Sequence, residues 1–92
     1  MKIHKQQLKI AETFTCLMPK RFLARSLQVQ YGIPTLWYEF EPYELVESET
    51  RFFCVGTGHN IPVIARNYLG TVVMPDGFVW HYYTDYHDYL GD

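Results

Sequence analysis

Ser26-Leu27-Gln28-Val29-Gln30-Tyr31-Gly32-Ile33-Pro34-Thr35-Leu36-Trp37-Tyr38-Glu39-Phe40 is the stretch that decides the fold class. Leu27, Val29 and Tyr31 alternate with Gln28 and Gln30, and beyond the turn Leu36, Tyr38 and Phe40 alternate with Thr35, Trp37 and Glu39. A period of two places each set on one face of a strand, so the stretch predicts a hairpin turning at Gly32-Ile33-Pro34. A pair of indoles, Trp37 and Trp80, near the middle of the two best hairpins is expected at the centre of the core. Trp37 is nevertheless out of phase with Leu36, Tyr38 and Phe40. With that triplet buried, its indole belongs on the other face, under a second layer, at an oligomer interface or against a partner.

The same pattern extends in both directions. Lys2 to Ile10 alternates loosely, and Thr13 to Met18 puts Phe14, Cys16 and Met18 on one side before Pro19-Lys20-Arg21 interrupts pairing. Glu41 to Glu49 is an acidic connection around Pro42 with room for a single helical turn. Thr50 to Val55 resumes strand character and ends in Gly56-Thr57-Gly58-His59-Asn60. Ile61 to Asn67 follows as an apolar loop in which Pro62 suits the first turn of a short helix. Tyr68 to Met74 and Phe78 to Tyr83 flank Pro75-Asp76-Gly77, whose Asp-Gly pair is a strong hairpin signal. These segments predict an all-β chain with at most one short helical turn, a small antiparallel barrel or two-sheet sandwich of about six strands. With 92 residues the chain forms one domain, 1–92, and 84–92 is expected to be a flexible tail.

Composition excludes several classes. Hydrophobic residues make up 48% and charged residues 20%, which suits a folded chain rather than a disordered one. No apolar run is long enough to cross a membrane, and the start Met1-Lys2-Ile3-His4-Lys5 has no apolar signal-peptide core, so a cytoplasmic protein without membrane contact is expected. Cys16 and Cys54 lie in strand-like apolar runs and read as reduced, buried thiols rather than nucleophiles. Net charge is −2, with Lys2, Lys5, Lys9, Lys20, Arg21 and Arg25 set against Glu12 alone in the first 26 residues. The rest holds Arg51 and Arg66 against nine acidic residues. The balance argues against direct nucleic-acid binding, while the asymmetry suits steered association or pairing between copies as a homo-oligomer.

Four motifs stand out: Val29-Gln30-Tyr31-Gly32-Ile33-Pro34-Thr35-Leu36-Trp37, Gly56-Thr57-Gly58-His59, Tyr68-Leu69-Gly70-Thr71 and Val79-Trp80-His81. Over residues 1 to about 83 the chain resembles, through these motifs, a family of short, uncharacterised phage and prophage proteins. Met18-Pro19 resembles a Met-Pro pair that precedes the first clear hairpin in that family. The resemblance implies phage origin and a β fold, and it carries over no catalytic residue. Ile61 to Ala65 and the tail from Thr84 to Asp92 depart from the family's pattern.

No constellation here has catalytic or metal-ligand spacing. Gly56-Thr57-Gly58-His59 lacks the Lys-Ser/Thr of a phosphate loop, His4, His59, His81 and His87 show no ligand spacing, and Ser26 and Ser48 lie outside any nucleophile elbow. The expectation is therefore a non-enzymatic protein with no catalytic residue, metal or cofactor. The Tyr- and Asp-rich terminal run and the acidic connection supply contact chemistry, with Glu44, Glu47, Glu49, Tyr83, Tyr86, Asp88 and Tyr89 as the partner-binding residues. Joined to the phage resemblance, this points to an anti-defence inhibitor acting in the host cytoplasm, one that occludes a host protein such as a CRISPR or other antiviral nuclease component. Two alternatives stand beside it. One is an oligomeric binder that sequesters a nucleotide signal through Thr57, His59, Trp37 and Arg66, with Arg25 as a further basic contact, and the other is a virion accessory protein.

Overall fold

The computed structural model describes residues 1–43 and 47–85. Seven strands run in order: β1 (Lys2–Gln7), β2 (Thr13–Pro19), β3 (Leu23–Gln30), β4 (Ile33–Phe40), β5 (Glu47–Gly56), β6 (Asn67–Val73) and β7 (Val79–Thr84). They form two antiparallel sheets, one of order β1-β4-β3 and one of order β2-β5-β7-β6. The fold is thus all-β and sandwich-like. It is not a closed barrel, because β3 and β6 lie side by side without pairing.

The predicted alternation sets the core. Leu36, Tyr38 and Phe40 of β4 are buried together with Phe14 and Met18 of β2, Phe52 and Cys54 of β5, and Tyr82 of β7. Phe14 stacks on Phe52 with ring centroids 5.5 Å apart, and Tyr82 meets Phe14 edge-on at 6.4 Å. Phe22, between β2 and β3, meets Tyr38 edge-on at 5.7 Å. Burying one such aromatic side chain contributes about 1.5–3 kcal/mol relative to leaving it in water. The hydroxyl of Tyr82 donates to the Lys9 carbonyl at 3.0 Å, so the buried ring carries no unsatisfied group.

Several details differ from the sequence reading, each for a local reason. The strands number seven rather than about six, one for each segment read as strand-like, and β5 starts at Glu47, which draws Glu47 and Glu49 out of the acidic connection into a ladder with β2. The first hairpin turns at Tyr31-Gly32, not at Gly32-Ile33-Pro34. Both turn residues have positive φ, 53° and 76°, the backbone that a two-residue type I′ turn requires, and Ile33 and Pro34 already belong to β4. No helix occurs among the described residues. At Pro62 a single turn closes, with the Ala65 N–H donating to the Pro62 carbonyl at 2.9 Å, and β-branched Val63 and Ile64 do not extend it. Trp80 packs against the core from a half-buried position, whereas Trp37 lies half-buried on the outer face of its sheet, so the two indoles do not meet at the centre.

The side of the sandwich between β3 and β6 is closed at one point by a glycine. A Cβ on Gly70 would stand 3.0 Å from the Leu27 Cβ, and Gly70 has φ +152° beside a register shift in β6. Gly70→Ala is expected to lower stability by about 1–3 kcal/mol, since the backbone and the neighbour both resist a methyl group. Gly32→Ala, where a Cβ would meet nothing within 4 Å, faces only the left-handed backbone penalty of about 1–2 kcal/mol. Urea unfolding of both variants checks this, and a smaller loss at Gly70 than at Gly32 would remove the close approach as a constraint.

Candidate functional site

Strand alternation decides what the four-stranded sheet shows to its outer side. In β5, Phe52 and Cys54 point into the core, so Glu47, Glu49, Arg51, Phe53 and Val55 point the other way. Their partners across the ladder share that face: Leu17 opposite Glu49, Thr15 opposite Arg51, Thr13 and Tyr83 flanking Phe53, and His81 opposite Val55. On the far side of β7, Tyr68 and Thr71 continue the rows of Tyr83 and His81. Glu47 and Glu49 stand exposed at one end and make no ion pair among the described residues, while Leu17 beside Glu49 is 62% exposed.

At the other end a polar chain crosses three segments. The His81 Nε2 lies 2.8 Å from the Thr57 hydroxyl and its Nδ1 lies 2.8 Å from the Thr71 hydroxyl, which in turn bonds the Tyr68 hydroxyl. The Tyr68 and Tyr83 rings sit 5.3 Å apart. A neutral imidazole has one N–H and one lone pair, and both are already engaged with protein hydroxyls. His81 therefore works as a clamp that ties the Gly56-Thr57-Gly58 turn to β6 and β7. The turn and the loop after it roof a cleft of about 220 Å³ whose walls include Thr57, His59, Ile61, His81 and Tyr83.

The residues expected from sequence fall in several places. Glu47, Glu49 and Tyr83 share the outer face of the four-stranded sheet, and Thr57 and His59 meet at the rim of the cleft beside Tyr83. Trp37 is on the outer face of the other sheet, next to Ile3 and Lys5 in a shallow depression. Arg66 lines a separate cleft, and Arg25 forks onto Glu39 with contacts of 2.8 and 3.2 Å. The four residues expected to hold a nucleotide thus do not converge within one chain. Glu44, Tyr86, Asp88 and Tyr89 lie outside the described residues. Among the described residues no three of His, Cys, Asp and Glu gather as metal ligands.

Sequence reasoning placed Tyr68, Thr71 and His81 in separate motifs and did not join them into one group, although part of the signal was present. The Asp-Gly turn sets Met74 against Phe78, and counting outward puts Thr71 opposite His81. Tyr68 escapes the count, because the register slips by one residue between Tyr68 and Gly70.

Both cysteines are free; Cys54 is buried and Cys16 half-buried. Burial pushes both thiols above their ordinary range, so at neutral pH each holds its proton and is a poor nucleophile. In native protein at pH 7.5, Ellman's reagent is expected to modify Cys16 more slowly than free cysteine and Cys54 only as the chain unfolds. Prompt labelling of Cys54 in the folded state would contradict this account of the thiols.

No curated protein and no solved structure matches the chain. The profile of one family, described as a domain of unknown function (DUF7352), matches residues 1–89 and therefore spans both sheets. The chain belongs to the DUF7352 family.

Proposed function

We propose that this protein acts by binding rather than by catalysis, and that it presents the outer face of the four-stranded sheet to a partner with a basic surface. The observation that carries the reading is the gathering of Glu47, Glu49 and Tyr83, expected separately from sequence, onto that one face. Two exposed carboxylates beside exposed Leu17 supply charge for steering and apolar area for burial, and the tyrosines add broad, rigid contact at low entropic cost. The His81 clamp supports the same reading, since a face that is already rigid loses little freedom on association.

The resemblance to phage and prophage proteins supplies the class of partner. A host antiviral nuclease component carries a basic groove for nucleic acid, and an acidic, aromatic face occludes such a groove by competing for its cations. On this proposal the protein is an anti-defence inhibitor working in the host cytoplasm, needing no cofactor and touching no membrane.

The test starts with capture of the tagged protein and its partner from host lysate, followed by binding kinetics on the purified pair. Glu47→Lys combined with Glu49→Lys is expected to slow association and to flatten its salt dependence, with dissociation little changed. Tyr83→Ala is expected to weaken the complex by about 1–2 kcal/mol, mainly through faster dissociation. Unchanged affinity in both variants would remove this face from the contact.

A further inference from the structure

The side of the sandwich closed by Gly70 against Leu27 opens a few residues away. Each of the two edge strands carries a register shift there, between Ala24 and Ser26 in β3 and between Tyr68 and Gly70 in β6. An extra residue bends a strand and increases its twist, so the two edges part at their Leu23 and Asn67 ends. The opening is a cleft of about 250 Å³, separate from the one beneath the Thr57 turn.

Its lining divides by chemistry. Phe22, Leu23, Ala24 and Leu69 make an apolar wall, Arg66 and Asn67 contribute polar groups at the start of β6, and Tyr68 and Thr84 complete the lining, the Thr84 hydroxyl donating to the Arg51 carbonyl at 2.8 Å. The Arg66 backbone N–H donates to the Thr84 carbonyl at 3.1 Å, which fixes the root of the side chain, while its guanidinium has no partner among the described residues. The side-chain nitrogen of Asn67 is buried and also has no hydrogen-bond partner among them. A buried donor in that state is costly, and the broad terminal torsion of an asparagine lets it turn toward an acceptor placed beside it. Among the described residues no carboxylate lines the cleft to satisfy either group.

We propose that this cleft binds a small organic acid, its carboxylate held by Arg66 and Asn67 and its apolar body laid against Phe22, Leu23 and Leu69. A guanidinium fork and one amide N–H match the two oxygens of a carboxylate. A phosphate would carry further oxygens and charge against an apolar wall that offers them nothing. The volume lies below the range of drug-sized sites, so the body is a short aliphatic chain or a single ring, not a dinucleotide. This site does not depend on the outer-face proposal, and either can fail alone.

The experiment titrates the full chain with benzoate, butyrate and inorganic phosphate, following the Asn67 side-chain amide resonances by NMR and the melting temperature. Benzoate and butyrate at millimolar concentration are expected to shift the Asn67 amide and raise the melting temperature, phosphate to do neither. Arg66→Ala, at an exposed position, is expected to weaken benzoate binding about tenfold or more. Leu23→Trp, which fills the cleft, is expected to abolish it. No response to either acid, phosphate binding as tightly as benzoate, or undiminished binding by Arg66→Ala would each overturn the proposal.

Discussion

Lys9 sits where the chain leaves one sheet for the other, and its carbonyl accepts the hydroxyl of Tyr82, a residue with no solvent exposure. A phenol buried without a partner costs about 1–3 kcal/mol, so the ring can fill the core beside Phe14 only while the crossing strand passes at that spot. The crossing is held on both sides. The Leu8 N–H donates to the Pro34 carbonyl at 2.9 Å in the three-stranded sheet, and the Cys54 N–H donates to the Glu12 carbonyl at 3.3 Å in the four-stranded one. Burial also pushes the Tyr82 hydroxyl above the ordinary range of a phenol, which favours the protonated form that donates this bond.

What could be read from the residues follows from how local each signal is. The period-two pattern of Leu36, Tyr38 and Phe40 and the Asp-Gly pair of the last hairpin reported strands and buried faces correctly, because alternation and turn chemistry act over a few residues. Beyond the two hairpins, which strands pair was not legible. Glu49 stands opposite Leu17 and Lys5 opposite Trp37 through contacts between distant segments, and nothing near either residue encodes that. The position of Trp37 shows the boundary well: its phase placed it off the core face, but only the pairing of β1 with β4 supplies its neighbours, Ile3 and Lys5. The two register shifts were equally silent, and they are what bends the edges around the seam cleft.

The opposed charges of the two parts of the chain meet in space without cancelling. Arg25 of the basic segment pairs with Glu39 and holds its carboxyl below the usual carboxylate range, and the N-terminal ammonium lies 3.9 Å from Glu41. Both contacts belong to the three-stranded side of the molecule. Glu47 and Glu49, on the other sheet, are left with their charge exposed, so the asymmetry written along the chain becomes a difference between the two outer faces. Each face has its own chemistry: Trp37 and Lys5 on one, two glutamates, Arg51 and the tyrosines on the other.

The order of strands in the two sheets also shapes how the chain reaches this state. Only β3 with β4 and β6 with β7 are neighbours in sequence joined by tight turns, while β1 pairs with β4, β2 with β5 and β5 with β7 across longer separations. Loop closure must come before those distant ladders return any stability, and topologies of this kind fold in about milliseconds to seconds rather than microseconds. The two hairpins are the natural early structures. Until β2 joins β5, the apolar run Phe52-Phe53-Cys54-Val55 has no ladder on that side, and it is the segment through which newly made copies would stick to one another.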